Sequence, residues 1–69
     1  MKYGINWCYT VLLENKETRE SVEWEFRRKS EADGVYTAVK QALFTTSADH
    51  WVLCLYNPSG EVVDNIIVG

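Results

Sequence analysis

From His50 to Tyr56 the chain reads His-Trp-Val-Leu-Cys-Leu-Tyr, apolar at both parities of a strand repeat. Such a run predicts a central strand, buried on both faces. Residues 3–13 place Tyr3, Ile5, Trp7, Tyr9, Val11 and Leu13 at odd positions, with Gly4, Asn6, Cys8 and Thr10 between them. This period of two predicts a strand with one core face. Leu12 interrupts its polar side, so that end of the second face is expected to be covered as well. Glu14 to Glu20 supplies charged, amide and hydroxyl side chains without an apolar anchor and reads as an exposed hairpin loop. Val22-Glu23-Trp24-Glu25-Phe26-Arg27 then alternates apolar with charged, which predicts a half-buried edge strand guarded by its outward charges. A helix over 14–30 is the competing reading, since Glu, Lys and Arg favour helices. It would point Trp24 away from the Val22 and Phe26 stripe, so the strand is preferred.

The helical signal begins at Ser30-Glu31-Ala32-Asp33, where Ser30 and Asp33 have capping-box spacing; Asp33 before Gly34 is an alternative cap. Val35, Ala38, Val39, Ala42 and Leu43 follow at three- and four-residue intervals, predicting an amphipathic helix of about three turns. Thr45-Thr46-Ser47 should end it, because these side chains compete for backbone hydrogen bonds. Asn57-Pro58-Ser59-Gly60 is the most specific local signal: Pro58 presets a turn, and Gly60 accepts positive φ before a last strand over 61–68.

The element order is therefore strand, strand, helix, strand, strand, in a single α+β domain spanning 1–69. Two hairpins joined by one helix predict a four-stranded antiparallel sheet in the order 2-1-3-4, with the helix on one face. The most apolar strands then lie in the centre and the charged ones at the edges.

The chain has 69 residues, 46% hydrophobic and 25% charged, with a net charge of −3. That composition fits a small globular domain and argues against generic nucleic-acid binding, which depends on clustered basic residues. Met1 to Asn6 lacks the apolar core of a signal peptide, and no apolar run reaches the ~20 residues of a spanning helix. A cytoplasmic protein without membrane association is the expectation. Cys8 and Cys54 read as buried small hydrophobes rather than a disulfide framework, although one bridge stays open.

Candidate chemistry is sparse. His50 is the only histidine. Along a strand it stands ~13 Å from Cys54, too far for a nucleophile and base. Cys8 could approach His50 across strands, but nothing in the pattern selects it. Two cysteines and one histidine without short spacing do not form a zinc site, and the four glycines are scattered rather than grouped into a phosphate loop. The reading is a protein without catalytic residues, metal or cofactor.

The charge layout is more informative. Residues 14–25 carry Glu14, Glu17, Glu20, Glu23 and Glu25 against Lys16 and Arg19, followed at once by Arg27, Arg28 and Lys29. A solvated edge strand explains this arrangement, and so does a docking surface that steers a charged partner. Within the second reading the candidate partner-binding residues are Glu17, Glu20, Glu23, Glu25, Trp24, Arg27, Arg28, Lys29 and Tyr56. A nucleic-acid module built on Arg27, Arg28, Lys29 and nearby aromatics is the alternative. Three Trp, four Tyr and two Phe exceed what one helix on one sheet face can cover. The expectation is that the uncovered face is an apolar patch or is closed by a partner or a second copy.

An alternating hairpin, a small-residue helix reading Tyr36-Thr37-Ala38-Val39-Lys40-Gln41-Ala42-Leu43, and a second hairpin together resemble small phage-encoded inhibitors. These include anti-CRISPR proteins acting on type I surveillance complexes and phage inhibitors of host RNA polymerase. The likeness is one of size and layout over residues 8–68 and carries no motif. It implies a non-enzymatic protein that blocks a host protein or nucleoprotein complex by occupying a charged surface.

Overall fold

The computed structural model describes residues 8–46 and 49–68. Tyr3, Ile5 and Trp7 of the expected first strand, and Ser47 of the expected loop, lie outside them. The elements are β1 (Tyr9–Asn15), β2 (Ser21–Phe26), α1 (Lys29–Thr45), β3 (Trp51–Tyr56) and β4 (Val62–Val68). They form one antiparallel sheet in the order β2-β1-β3-β4, with the single helix on one face, as the alternation and the two hairpins predict.

Register shows why the odd positions of β1 form the core. Val11 lies between Trp24 and Leu55, and Leu13 between Val22 and Leu53, while Leu53 also pairs with Ile66. Directly opposed residues point to the same side of a sheet. This side therefore collects Tyr9, Val11 and Leu13, Trp24 and Phe26, Trp51, Leu53 and Leu55, with Ile66 and Val68 at the margin. Ala32, Tyr36 and Leu43 of α1 close over it, and Val11 and Leu53 are completely buried.

The hairpin turns are built alike. Asn15 Oδ1 accepts hydrogen bonds from the amides of Glu17 (2.8 Å) and Thr18 (2.9 Å). Asn57 Oδ1 accepts from Ser59 (3.0 Å) and Glu61 (2.9 Å). Asparagine suits both places because its side chain replaces a backbone acceptor within a tight turn. Gly60 has φ 85, the left-handed value expected of it, but Arg19 and His50 also sit there, at φ 68 and 66. β1 also runs two residues further than the alternation indicates, taking Glu14 and Asn15 out of the expected loop.

The helix differs most from its sequence signal. It spans 17 residues, nearly five turns, and starts at Lys29 with Arg28 as N-cap and no side-chain cap. Ser30 and Asp33 do not form a capping box. Asp33 instead meets Lys29, with Nζ to Oδ2 at 2.9 Å, an exposed pair of small worth. Its buried stripe runs through Ala32, Tyr36 and Leu43 with Val35 and Val39 beside it, whereas Ala38 and Ala42 are exposed. The stripe is thus rotated from the expected one towards Tyr36. Thr46 ends the helix as anticipated, its hydroxyl donating to the Ala42 carbonyl at 2.8 Å.

Gly34 is exposed inside this helix, and a Cβ added to it would meet nothing within 4 Å. Glycine in a helix costs about 0.5–1 kcal/mol relative to alanine through the freedom it retains when unfolded. Gly34→Ala should stabilise the domain by that amount, seen as a higher urea midpoint at unchanged slope.

Candidate surface on the uncovered sheet face

Residues of the opposite parity point away from α1, onto the face that no element among the described residues covers, and the register arranges them in rows. Glu25, Thr10, Tyr56 and Val62 form one row; Glu23, Leu12, Cys54 and Asn65 the next; Ser21, Glu14, Val52 and Ile67 the third. The result is a gradient across the sheet. Glu23 and Glu25 stand exposed on the β2 side, with half-buried Glu14 beside them. Leu12, Val52 and Tyr56 occupy the middle, half-buried, and Ile67 lies 63% exposed on the β4 side. No Lys or Arg occurs in these rows.

The centre of the face is better covered than a bare sheet implies. Thr10 is completely buried and its hydroxyl lacks a hydrogen-bond partner, and Cys54 is only 8% exposed. Burial pushes the Cys54 thiol up, with the Glu14 charge adding to it and a hydrogen bond to Tyr56 opposing it. The Tyr56 phenol is also raised, first by burial and then by Cys54. Burial thus favours the neutral thiol of Cys54 over its thiolate.

The sequence-predicted residues are not all brought together. Glu23, Glu25 and Tyr56 share the uncovered face. Glu17 and Glu20 lie exposed in the hairpin loop at one end of β2, while Arg27, Arg28 and Lys29 lie exposed beyond the other end. Lys29 is engaged by Asp33, whose hydrogen bond and charge raise its ammonium pKa. Trp24 is on the helix side, packed half-buried against the core, and cannot act beside the glutamates that flank it in sequence. Glu14, Leu12 and Val52 are not among the named candidate partner-binding residues, although Glu14 belongs to the acidic run and Val52 to one parity of the doubly apolar strand. The Leu12 and Val52 parities carry the signal, but Glu14 is hidden because a charged strand residue looks like loop.

The remaining chemical candidates are kept apart. Asn15 pairs with Trp51, so His50 stands beside Lys16, at the far end of β1 from Cys8 and about 26 Å from it along the strand. His50 serves the backbone: its carbonyl accepts the Lys16 amide at 2.6 Å and ties the first hairpin to the start of β3. Cys54 pairs with Leu12, four residues or about 13 Å from Cys8, beyond the ~7 Å that a disulfide spans. Both are thiols. Among the described residues no cluster of three metal-ligating side chains occurs, and no helix is long and apolar enough to cross a membrane.

No protein family, curated protein or solved structure matches the chain. The functional reading therefore rests on the chemistry of this face.

Proposed function

We propose that the chain is a non-catalytic protein-binding domain that docks through the uncovered sheet face onto a basic surface of a larger protein or nucleoprotein complex. The observation that carries this reading is the juxtaposition of Glu14, Glu23 and Glu25 with Leu12, Val52 and Tyr56 on one face of a hydrogen-bonded sheet. Apolar positions contribute contact area, and Tyr tolerates half-wet sites and often anchors interfaces. The glutamates beside them orient and accelerate encounter with a positively charged partner. Glu17 and Glu20 extend the same sign to the hairpin tip.

Likeness in size and layout to phage-encoded inhibitors supports an inhibitor of a host complex as the particular case. An acidic face would compete there for a site that ordinarily holds nucleic acid. The alternative, nucleic-acid binding through Arg27, Arg28 and Lys29, has those residues beyond the end of β2, with Trp24 turned into the core.

Capture of partners from host lysate on the immobilised chain, followed by mass spectrometry, tests the reading. The combined reversal Glu20→Lys, Glu23→Lys and Glu25→Lys should reduce capture at least tenfold, and the loss should shrink as salt screens the charges. Unchanged capture by the reversed chain would remove the acidic surface from the proposal. Salt-sensitive binding of single-stranded oligonucleotides by the native chain would favour the alternative.

A further inference from the structure

The two edges of the sheet are unlike. β2 alternates Glu23 and Glu25 with its core residues, which discourages pairing with another chain. β4, reading Val-Val-Asp-Asn-Ile-Ile-Val, has one charge in seven residues and no Pro or Lys. Val62, Val63 and Ile67 are 54%, 43% and 63% exposed, the largest cluster of exposed aliphatic side chains among the described residues. Past the bulge at Val63 the edge runs regularly from Asp64 to Val68, and an open edge of this kind is a template for strand addition.

The backbone of β4 is also set for it. The Asn65 amide donates to Asp64 Oδ1 at 2.8 Å rather than to β3. Asn65 lies opposite Cys54, which makes this a wide pair of the antiparallel ladder, with the Asn65 N–H and C=O both directed outward. Among the described residues β4 has no neighbour on that side.

We propose that β4 pairs with β4 of a second copy, antiparallel across a twofold axis at Asn65, to give a continuous eight-stranded sheet. This concerns the sheet edge rather than its acidic face and stands independently of the function proposed above. A second copy is the occupant because the strand complements itself. With Asn65 on the axis Ile67 lies opposite Val63 of the second copy, so two exposed aliphatic residues meet on each side of the axis, and the bulge at Val63 ends the regular pairing there. Self-complementarity of this sort is what an isologous interface requires. The two Asn65 residues form a narrow pair that exchanges two hydrogen bonds, and the Asn65 amide leaves Asp64 to make them. Asp64 then works against association twice. It competes for the central amide, and it stands on the diagonal from Asp64 of the second copy, about 7–8 Å away.

Sedimentation equilibrium of the full chain over micromolar to millimolar concentrations tests the proposal, with circular dichroism of each variant confirming the fold. The native chain should pass from monomer to dimer mass. Ile67→Lys, at an exposed position, should weaken association at least tenfold. Asp64→Ala should strengthen it several-fold, an outcome that general loss of fold cannot produce. Val22→Lys, exposed on β2 at the opposite edge of the sheet, should leave it unchanged. A monomer at every concentration overturns the proposal, as does a dimer that survives Ile67→Lys or is lost in Val22→Lys. The last result would place self-association on the β2 edge instead.

Discussion

Leu53→Ala should lower stability by about 2–5 kcal/mol, the usual range for truncating a buried leucine and leaving a cavity. Leu53 is completely buried and pairs with Leu13 on one side and Ile66 on the other, beneath the helix. Every element that could collapse into the space is held by the ladder or by the buried helix stripe, so relaxation is limited. At roughly 0.05–0.15 kcal/mol per residue, a domain of 69 residues has only about 3–10 kcal/mol to lose. A large part of the population should then be unfolded at 37 °C. Urea unfolding followed by far-ultraviolet circular dichroism measures the change, with Ile67→Ala as the reference. Ile67 removes a similar aliphatic group from a site that is 63% exposed, where a change within about 0.5 kcal/mol is expected. Equal losses at the two sites would show that the core is not centred on Leu53.

The difference between these two aliphatic residues is legible in the sequence only in part. Alternation in 9–13 and 22–26, together with the doubly apolar run 51–56, is enough to give strand order and the central place of β3. These signals depend on side-chain parity, which tertiary contacts do not alter. The Asn57-Pro58-Ser59-Gly60 turn was legible for a similar reason, since few residues tolerate the geometry at Gly60. The last strand was less so. Leu55 pairs with Asp64 but Tyr56 with Val62, leaving Val63 as an extra residue. A bulge of this kind reverses parity along one strand, so nothing in the spacing reveals that Asp64 lies on the helix side. The helix phase was hidden by its alanines. Ala38 and Ala42 fit an apolar stripe, yet their small side chains lose little by facing water, and the bulk of Tyr36 decides which face turns inward. Arg19 and His50 adopt left-handed backbone because the hairpin and the start of β3 need it, a demand that no local pattern announces.

The candidate surface was legible as a list of charges and aromatics but not as a geometry. Glu23, Trp24 and Glu25 are consecutive, and only the register separates the two glutamates from the tryptophan. Glu14 joins them from the neighbouring strand, because Leu12 pairs with Glu23 and Glu14 with Ser21. What the fold adds is selection: it places acids and half-buried apolar groups side by side, and removes the basic run to one end of β2.

Tyr36 connects the helix phase to a second large effect, a loss of stability in alkali. Its phenol is 4% exposed and is pushed up to about 12, first by burial and then by the nearby charge of Asp64. The hydroxyl lacks a partner at ordinary hydrogen-bond geometry, so Asp64 acts on it chiefly as a charge. A group whose pKa is higher when folded favours the folded state in its protonated form. Its contribution is therefore complete below pH 10, the ordinary phenol value, and is lost as pH rises from 10 to 12. Two units correspond to about 2–3 kcal/mol, comparable with the cavity at Leu53. Burial at Cys54 and Tyr56 acts in the same direction, so the native chain should lose stability steeply above pH 10. Tyr36→Phe removes the ionisable hydroxyl while keeping the ring in the core cluster that also holds Val11, Leu53 and Leu55. At pH 7 it should be neutral or slightly stabilising, because an unpartnered buried hydroxyl contributes no compensating bond. Between pH 10 and 11.5 its urea midpoint should fall less than that of the native chain, and absorbance at 295 nm should lose its latest-ionising phenol. An alkaline decline of the same size in both chains would mean that Tyr36 ionises with the other phenols, and that Asp64 and the helix do not hold it in the protonated form.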